Sequence, residues 1–282
     1  MRISLPLFLA SLVFALPLAA RAESETLPER GLKKIIERER TLLAGAAKQG
    51  DELDPEAFRV QAQEVCHEYE LLLHDSPNYA LAYADYGHLL YKLGMGKEAV
   101  GMMLKADQLD PNIPLVKNQI GDYLAEQDKP LEAVNYFLAA IKLAPNEPLY
   151  HYQLGQLLYT ARADFIKSGD WTREQVDEGM HKAFRRAAEL APDRIEFTFR
   201  YAESFNDLEK PDWDGALKAW AALEEKAATQ FDRETMRLEA ANVLIKQGKF
   251  ASARLLLATV AEPALAGQKQ KLVAQLPSVP AK

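Results

Sequence analysis

Apolar residues between Ala80 and Ala144 recur every three or four positions, and the whole arrangement returns after 34 residues. Gly87, Gly121 and Gly155 keep that interval, as do Ala99 and Ala133, Ala106 and Ala140, and the series Pro77, Pro111, Pro145. The segments "ALAYADYGHLLYKLGMGKEAVGMMLKADQLDPNI" (80–113) and "PLVKNQIGDYLAEQDKPLEAVNYFLAAIKLAPNE" (114–147) hold these positions in register. The spacing predicts a helix, a tight turn and an antiparallel second helix in each unit. Glycine at the eighth position and alanine at the twentieth lie where the two helices cross, and their small size admits close backbone approach. Large apolar residues at positions seven, eleven and twenty-four fill the interior: Tyr86, Leu90 and Met103, then Ile120, Leu124 and Phe137. Alanine at twenty-seven meets the next unit. Proline at thirty-two stops the second helix, because it lacks an N–H and its ring clashes with the preceding turn.

The pattern continues with departures. A third unit, 148–194, carries Gly155, Phe184, Ala187 and Pro192, but Pro145 and Pro192 are 47 apart, so thirteen residues are inserted. The insertion is expected to lengthen the first helix to about Lys167. Ser168-Gly169-Asp170 then breaks it, and Thr172 with Gln175 forms a capping box for the second helix. A fourth unit, 195–228, has Ala202, Ala216 and Trp220, with two extra residues near Lys210-Pro211. A fifth, 234–264, has Ala241, Gly248, Ala253 and Leu257. Upstream, 28–49 and 55–74 read as two helices of a degenerate unit within 23–79. Residues 265–282 read as a capping helix, apolar on one side, and a tail. No run has the alternation or length of a buried strand, so the chain reads as all-α.

Those residue types at those offsets resemble the tetratricopeptide repeat (TPR) family, clearly over 80–264 and loosely over 28–264. The resemblance implies a right-handed superhelical solenoid in which each repeat buries its faces only against its neighbours. It also implies a concave groove lined by the first helix of each repeat. Carried over residue by residue, that lining is Asp85, His88, Tyr91 and Lys92, then Asn118, Gln119, Asp122 and Glu126. Tyr152, Gln153, Gln156 and Tyr159 follow, and then Arg200, Glu203, Asn206 and Asp207. Amides that can hydrogen-bond a peptide main chain alternate with tyrosines that give contact area at low entropy cost, which suits a segment of another polypeptide. A lysine and an asparagine that some repeats use to clamp a terminal carboxylate are replaced here by Ala84 and His88.

The N-terminus departs from the repeat. Met1-Arg2, the apolar run Leu5 to Leu18 and Ala20-Arg21-Ala22 have the form of a secretory signal cleaved after Ala22, which places the mature protein in the periplasm or outside the cell. Removing 1–22 takes away two arginines and no acid. The formal charge of −7 (34 basic, 41 acidic residues) then becomes −9 (32 basic, 41 acidic). An acidic chain without a basic block argues against nucleic acid. The apolar run is short for a membrane span, so no membrane association beyond export is expected.

Candidate chemistry changes the picture little. Phosphate-binding glycine loops, His-Glu-x-x-His, Cys-x-x-Cys and Gly-x-Ser-x-Gly are absent, so no enzyme, cofactor or metal site is expected. His67 and His74 are seven apart, not the one-turn spacing at which two imidazoles share an ion. His151 falls at a packing position and His181 is expected to face solvent. Cys66, the only cysteine, reads as a small buried hydrophobe. Lys33, Lys34, Arg38 and Arg40, interleaved with Glu29, Glu37 and Glu39, read as a solvated helix face. The function expected is an exported adaptor binding protein or peptide. The alternative is a structural subunit that packs through its edges and the third-repeat insertion, with Phe165, Trp171 and Trp213 as interface anchors.

Overall fold

The computed structural model describes residues 25–277. The segment 1–22 read as a signal and residues 278–282 of the tail lie outside the described residues. Among the described residues, regular structure is helical throughout. Helices α1 (Leu27–Gln49) and α2 (Pro55–Asp75) form the first pair, followed by α3 (Ala80–Lys92) with α4 (Gly96–Leu109) and α5 (Pro114–Glu126) with α6 (Pro130–Leu143). Next come α7 (Pro148–Thr160), α8 (Arg162–Ser168) and α9 (Arg173–Leu190), then α10 (Ile195–Ser204) with α11 (Trp213–Lys226). Helices α12 (Gln230–Lys246), α13 (Phe250–Ala258) and α14 (Ala266–Val273) close the series. None of them is long and apolar enough to cross a membrane.

Sequence sets the ends of these helices. Proline occupies the first turn of α1, α2, α5, α6 and α7, where its missing N–H costs nothing. Helices α4, α6 and α9 stop just short of Pro111, Pro145 and Pro192. Within each pair the crossing is as tight as the glycines require. A Cβ on Gly87 would lie 3.1 Å from the Ala99 carbonyl oxygen, and one on Gly121 3.1 Å from the Phe137 ring. Gly94 and Gly248 take positive φ in the turns between paired helices, and Asp128 takes the same conformation at the equivalent position, φ 59°.

The core is a chain of clusters rather than one centre. Tyr69, Tyr86, Leu90 and Met103 belong to the first, and Phe137, Leu158, Phe165, Met180 and Phe184 to the second. Ala202, Ala216 and Trp220 form a third, and Leu238, Ala241, Leu257 and Leu265 a fourth. Each helix packs chiefly on its neighbours in sequence. The first helices of consecutive pairs, α1, α3, α5 and α7, also touch one another, more closely than α2, α4 and α6 do. The first-helix row therefore lies on the inside of the curve.

Four expectations need correction. The third unit's first helix does not run unbroken to Lys167. It stops at Thr160, and α8 restarts after Ala161, whose ψ of 20° turns the chain. The turn drives Phe165 into the core, where it is 0% exposed and meets Trp171 edge-on at 5.5 Å. Phe165 is thus not a surface anchor, and Trp171 and Trp213 are half-buried. Gly169 in the left-handed region ends α8, and the expected Thr172–Gln175 capping box starts α9. His181 does not face solvent. Its ring packs on Phe205 at 4.5 Å and its Nδ1 pairs with Ser204 Oγ at 2.8 Å. Glu39 is buried too, unlike the solvated face around it: it accepts from the Tyr69 hydroxyl at 2.9 Å and pairs with Lys92 at 3.4 Å.

Candidate binding groove

Position six of α5 and of α7 meets position nine of the preceding first helix. Gln119 on α5 donates its amide to His88 Nδ1 on α3. One unit later, Gln153 on α7 donates to both carboxylate oxygens of Asp122 on α5, at 2.8 and 2.6 Å. Asn118 adds a bond to Asp122 at 3.3 Å. Five of the sequence-predicted lining residues are thereby knitted into one strip. Asn118 and Gln119 are drawn so far in that they are 2% and 5% exposed.

Burial governs the electrostatics of the strip. It pushes the Asp122 carboxyl up to about 7, with Glu126 adding to the rise against the Gln153 bond. Asp85 is likewise pushed up to about 7 by burial and by Glu39, against Lys92. His88 goes down to about 4 by burial, with Lys92 assisting, so its ring is neutral at physiological pH. Tyr91 lies beside the strip and donates to Glu126 at 2.6 Å.

Further along, the lining becomes aromatic. Tyr152 packs on Phe197 at 4.7 Å and Phe184 at 5.7 Å, and its hydroxyl accepts from Gln156 at 3.2 Å. The Arg200 guanidinium lies 4.5 Å from the Tyr159 ring and 5.0 Å from that of Phe184, while donating to Glu203 at 2.5 Å. Tyr159 itself is 41% exposed, held by the arginine with one face open. Asn206 stands apart, exposed and accepting from Lys246 at 2.5 Å. Asp207 turns to Arg162, which also pairs at 2.6 Å with buried Asp177 and so ties α8 to α9 and to the chain after α10. Two groove-side acids were not among the predicted lining, Glu39 and Glu239, the latter pushed up by burial and by Glu203. Glu39 carries no local signal, since it is recognisable only through partners on other helices, whereas Glu239 stands at position six of the fifth unit, where the repeat register could have found it. Outside the row, a cleft of about 970 Å³ opens between α1 and α2, lined by Leu42, Ala46, Leu53 and Phe58 among others. The Cys66 thiol is half-buried and pushed up by burial, which suits packing rather than reactivity.

No protein-family profile matches the chain, and no curated protein matches it. Solved structures do. YrrB, a TPR protein with an unusual peptide-binding site, superposes with a TM-score of 0.60 at 16% identity, over 73% of this chain and 97% of its own. Pseudomonas aeruginosa pilF superposes with a TM-score of 0.58 at 14% identity, over 88% of this chain and 99% of its own. Together with the helix pairs and their glycine crossings, these likenesses show the fold: the chain is an all-α solenoid of the tetratricopeptide type.

Proposed function

We propose that the protein is an exported, non-enzymatic adaptor that holds a segment of another polypeptide along its first-helix row, serving the assembly of envelope protein complexes. The observation that carries this reading is the strip itself. Side chains at equivalent positions of consecutive helices are pre-positioned by hydrogen bonds from unit to unit, so a ligand meets an ordered surface at low entropic cost. Tyr159 leaves an aromatic face open beside it. The likeness to YrrB, a protein with a peptide-binding site, adds support. A second reading, a subunit of a larger assembly, draws on a different observation: Leu71, Leu104 and Leu138 on α2, α4 and α6 are exposed at intervals of 33 and 34 residues.

Site-specific photo-cross-linking in the native envelope separates the two. A cross-linker in place of Tyr159 or Glu126 is expected to trap one or two discrete polypeptides, on a protein whose mature chain begins at Glu23. Cross-links from Leu104 and Leu138 alone, with a defined oligomer by light scattering, would overturn the groove reading in favour of the assembly subunit.

A further inference from the structure

The Asp122 cluster has a chemical imbalance that points to one class of partner. An ionised carboxylate accepts hydrogen bonds and donates none. Asn118 and Gln153 both turn their N–H groups to Asp122, and Gln119 turns its own to His88. All three amide oxygens are left without a donor: Asn118 Oδ1, Gln119 Oε1 and Gln153 Oε1. Asn118 and Gln119 are more than nine-tenths buried, so water does not readily meet the need, and an unpaired buried acceptor is costly. The same strip holds Asp85 and Asp122, with Glu126 at its rim. Its Asp122 end is therefore rich in acceptors and short of donors, and burial holds both aspartates at about 7, so each becomes fully charged when a cation joins it.

We infer that the segment held by this groove is basic, with lysine or arginine side chains seated over Asp85 and Asp122. The inference rests on the adaptor reading and specifies its partner. A lysine ammonium brings three donors and an arginine guanidinium five, with no acceptor in either, so one side chain supplies missing donors and neutralises a carboxylate together. A main-chain N–H satisfies one oxygen and leaves the charge. An acidic segment adds to both deficits. Asp85 lies on the α1 side of α3, beside Glu39, and Asp122 on the α7 side of α5, bonded to Gln153, so the two carboxyls are separated by more than one helix spacing of roughly 8–10 Å. An extended chain advances about 3.3 Å per residue, so a segment with a basic residue at every third position offers cations at about 10 Å and 20 Å intervals and can serve both carboxyls.

The test uses the mature chain and three synthetic peptides, each of four repeats: Lys-Ser-Leu, Gln-Ser-Leu and Glu-Ser-Leu. Calorimetric titration at low salt is expected to show the lysine peptide binding about tenfold or more tighter than the glutamine peptide, with the glutamate peptide weakest. The double variant Asp85→Asn/Asp122→Asn should lose about tenfold in affinity for the lysine peptide. The double variant Asp51→Asn/Glu52→Gln, on the exposed turn between α1 and α2, also removes two acidic side chains and should bind as the parent does. Equal weakening by the two double variants would reduce the attraction to net charge and overturn the inference. Tight binding of the glutamine peptide that Tyr159→Ala abolishes would overturn it while leaving the adaptor reading standing. Failure of all three peptides to bind would also overturn it, and cross-linking from Tyr159 would then judge the adaptor reading separately.

Discussion

A methyl group on Gly155 would sit 2.7 Å from the Phe184 ring, closer than packed carbon atoms approach. Phe184 is fully buried, with Tyr152 on one side and the Arg200 guanidinium on another, so the ring has nowhere to go. At Gly87 the nearest atom belongs instead to the flexible Met103 side chain, at 2.9 Å. Alanine gains about 1 kcal/mol of helix propensity over glycine at either site. Overpacking at Gly155 costs about 1–3 kcal/mol and outweighs that gain. Gly155→Ala should therefore lower the melting temperature clearly, and Gly87→Ala should do so less; equal effects would mean that Phe184 yields as easily as Met103. Asp122 poses a protonation question. Its folded carboxyl sits at about 7 against an ordinary value of 3.8, so between those pH values the folded chain binds more protons than the unfolded one. The favourable contribution is present in acid and fades as pH rises towards 7. In Asp122→Asn the group no longer titrates, and Gln153 can turn its unpaired oxygen to the new amide. The variant should gain on the parent by about 1.4 kcal/mol per pH unit across this window, read by urea denaturation at several pH values. The comparison isolates Asp122 from His88 and His181, whose depressed values act in the opposite direction. A constant difference would place the Asp122 carboxyl at its ordinary value.

At the scale of the element, the features legible in the sequence are those whose cause is local or periodic. Helix starts at Pro114, Pro130 and Pro148 follow from proline's fixed φ, and the Thr172–Gln175 box follows from two side chains three residues apart. The glycine and alanine crossings were legible because each recurs at one offset. The break at Ala161 was not, since nothing in "LLYTARADFIKS" stops a helix. It is imposed by tertiary contacts: Phe165 turns inward against Val176 and Met180, while Arg162 is drawn to Asp177 and Asp207. The groove divides in the same way. Repeat register identifies positions six and nine of each first helix, but not that position six of α5 and α7 bonds to position nine of the preceding unit. That pairing depends on the rotation between units, which sequence periodicity does not encode. His181 and Glu39 were misread for a related reason, because the groups that bury them belong to other helices.

Across the whole molecule, stability accumulates along the array, because the core clusters follow one another and no element touches all of them. The end of such an array is its weak point, and here Glu234 secures it. This carboxylate, buried at the start of α12, accepts from the backbone N–H groups of Ala261 at 2.7 Å and Glu262 at 2.6 Å, and from the Gln230 amide. Those bonds hold its carboxyl below the ordinary glutamate value and fix the link between α13 and α14. With the link fixed, Val260 and Leu265 close over Leu238 and Leu257. Glu234→Ala removes the acceptor for two backbone donors at once. In a globule with one core the loss would spread through the fold. In this array it should stay local: amide exchange should quicken about tenfold or more in α12, α13 and α14, while α3 to α6 keep the protection of the parent chain. Equal acceleration in α3 to α6 would show that the units unfold as one body. The first-helix strip would then be stabilised by the whole array rather than by its own neighbours, and a partner bound there would protect α14 as strongly as α5.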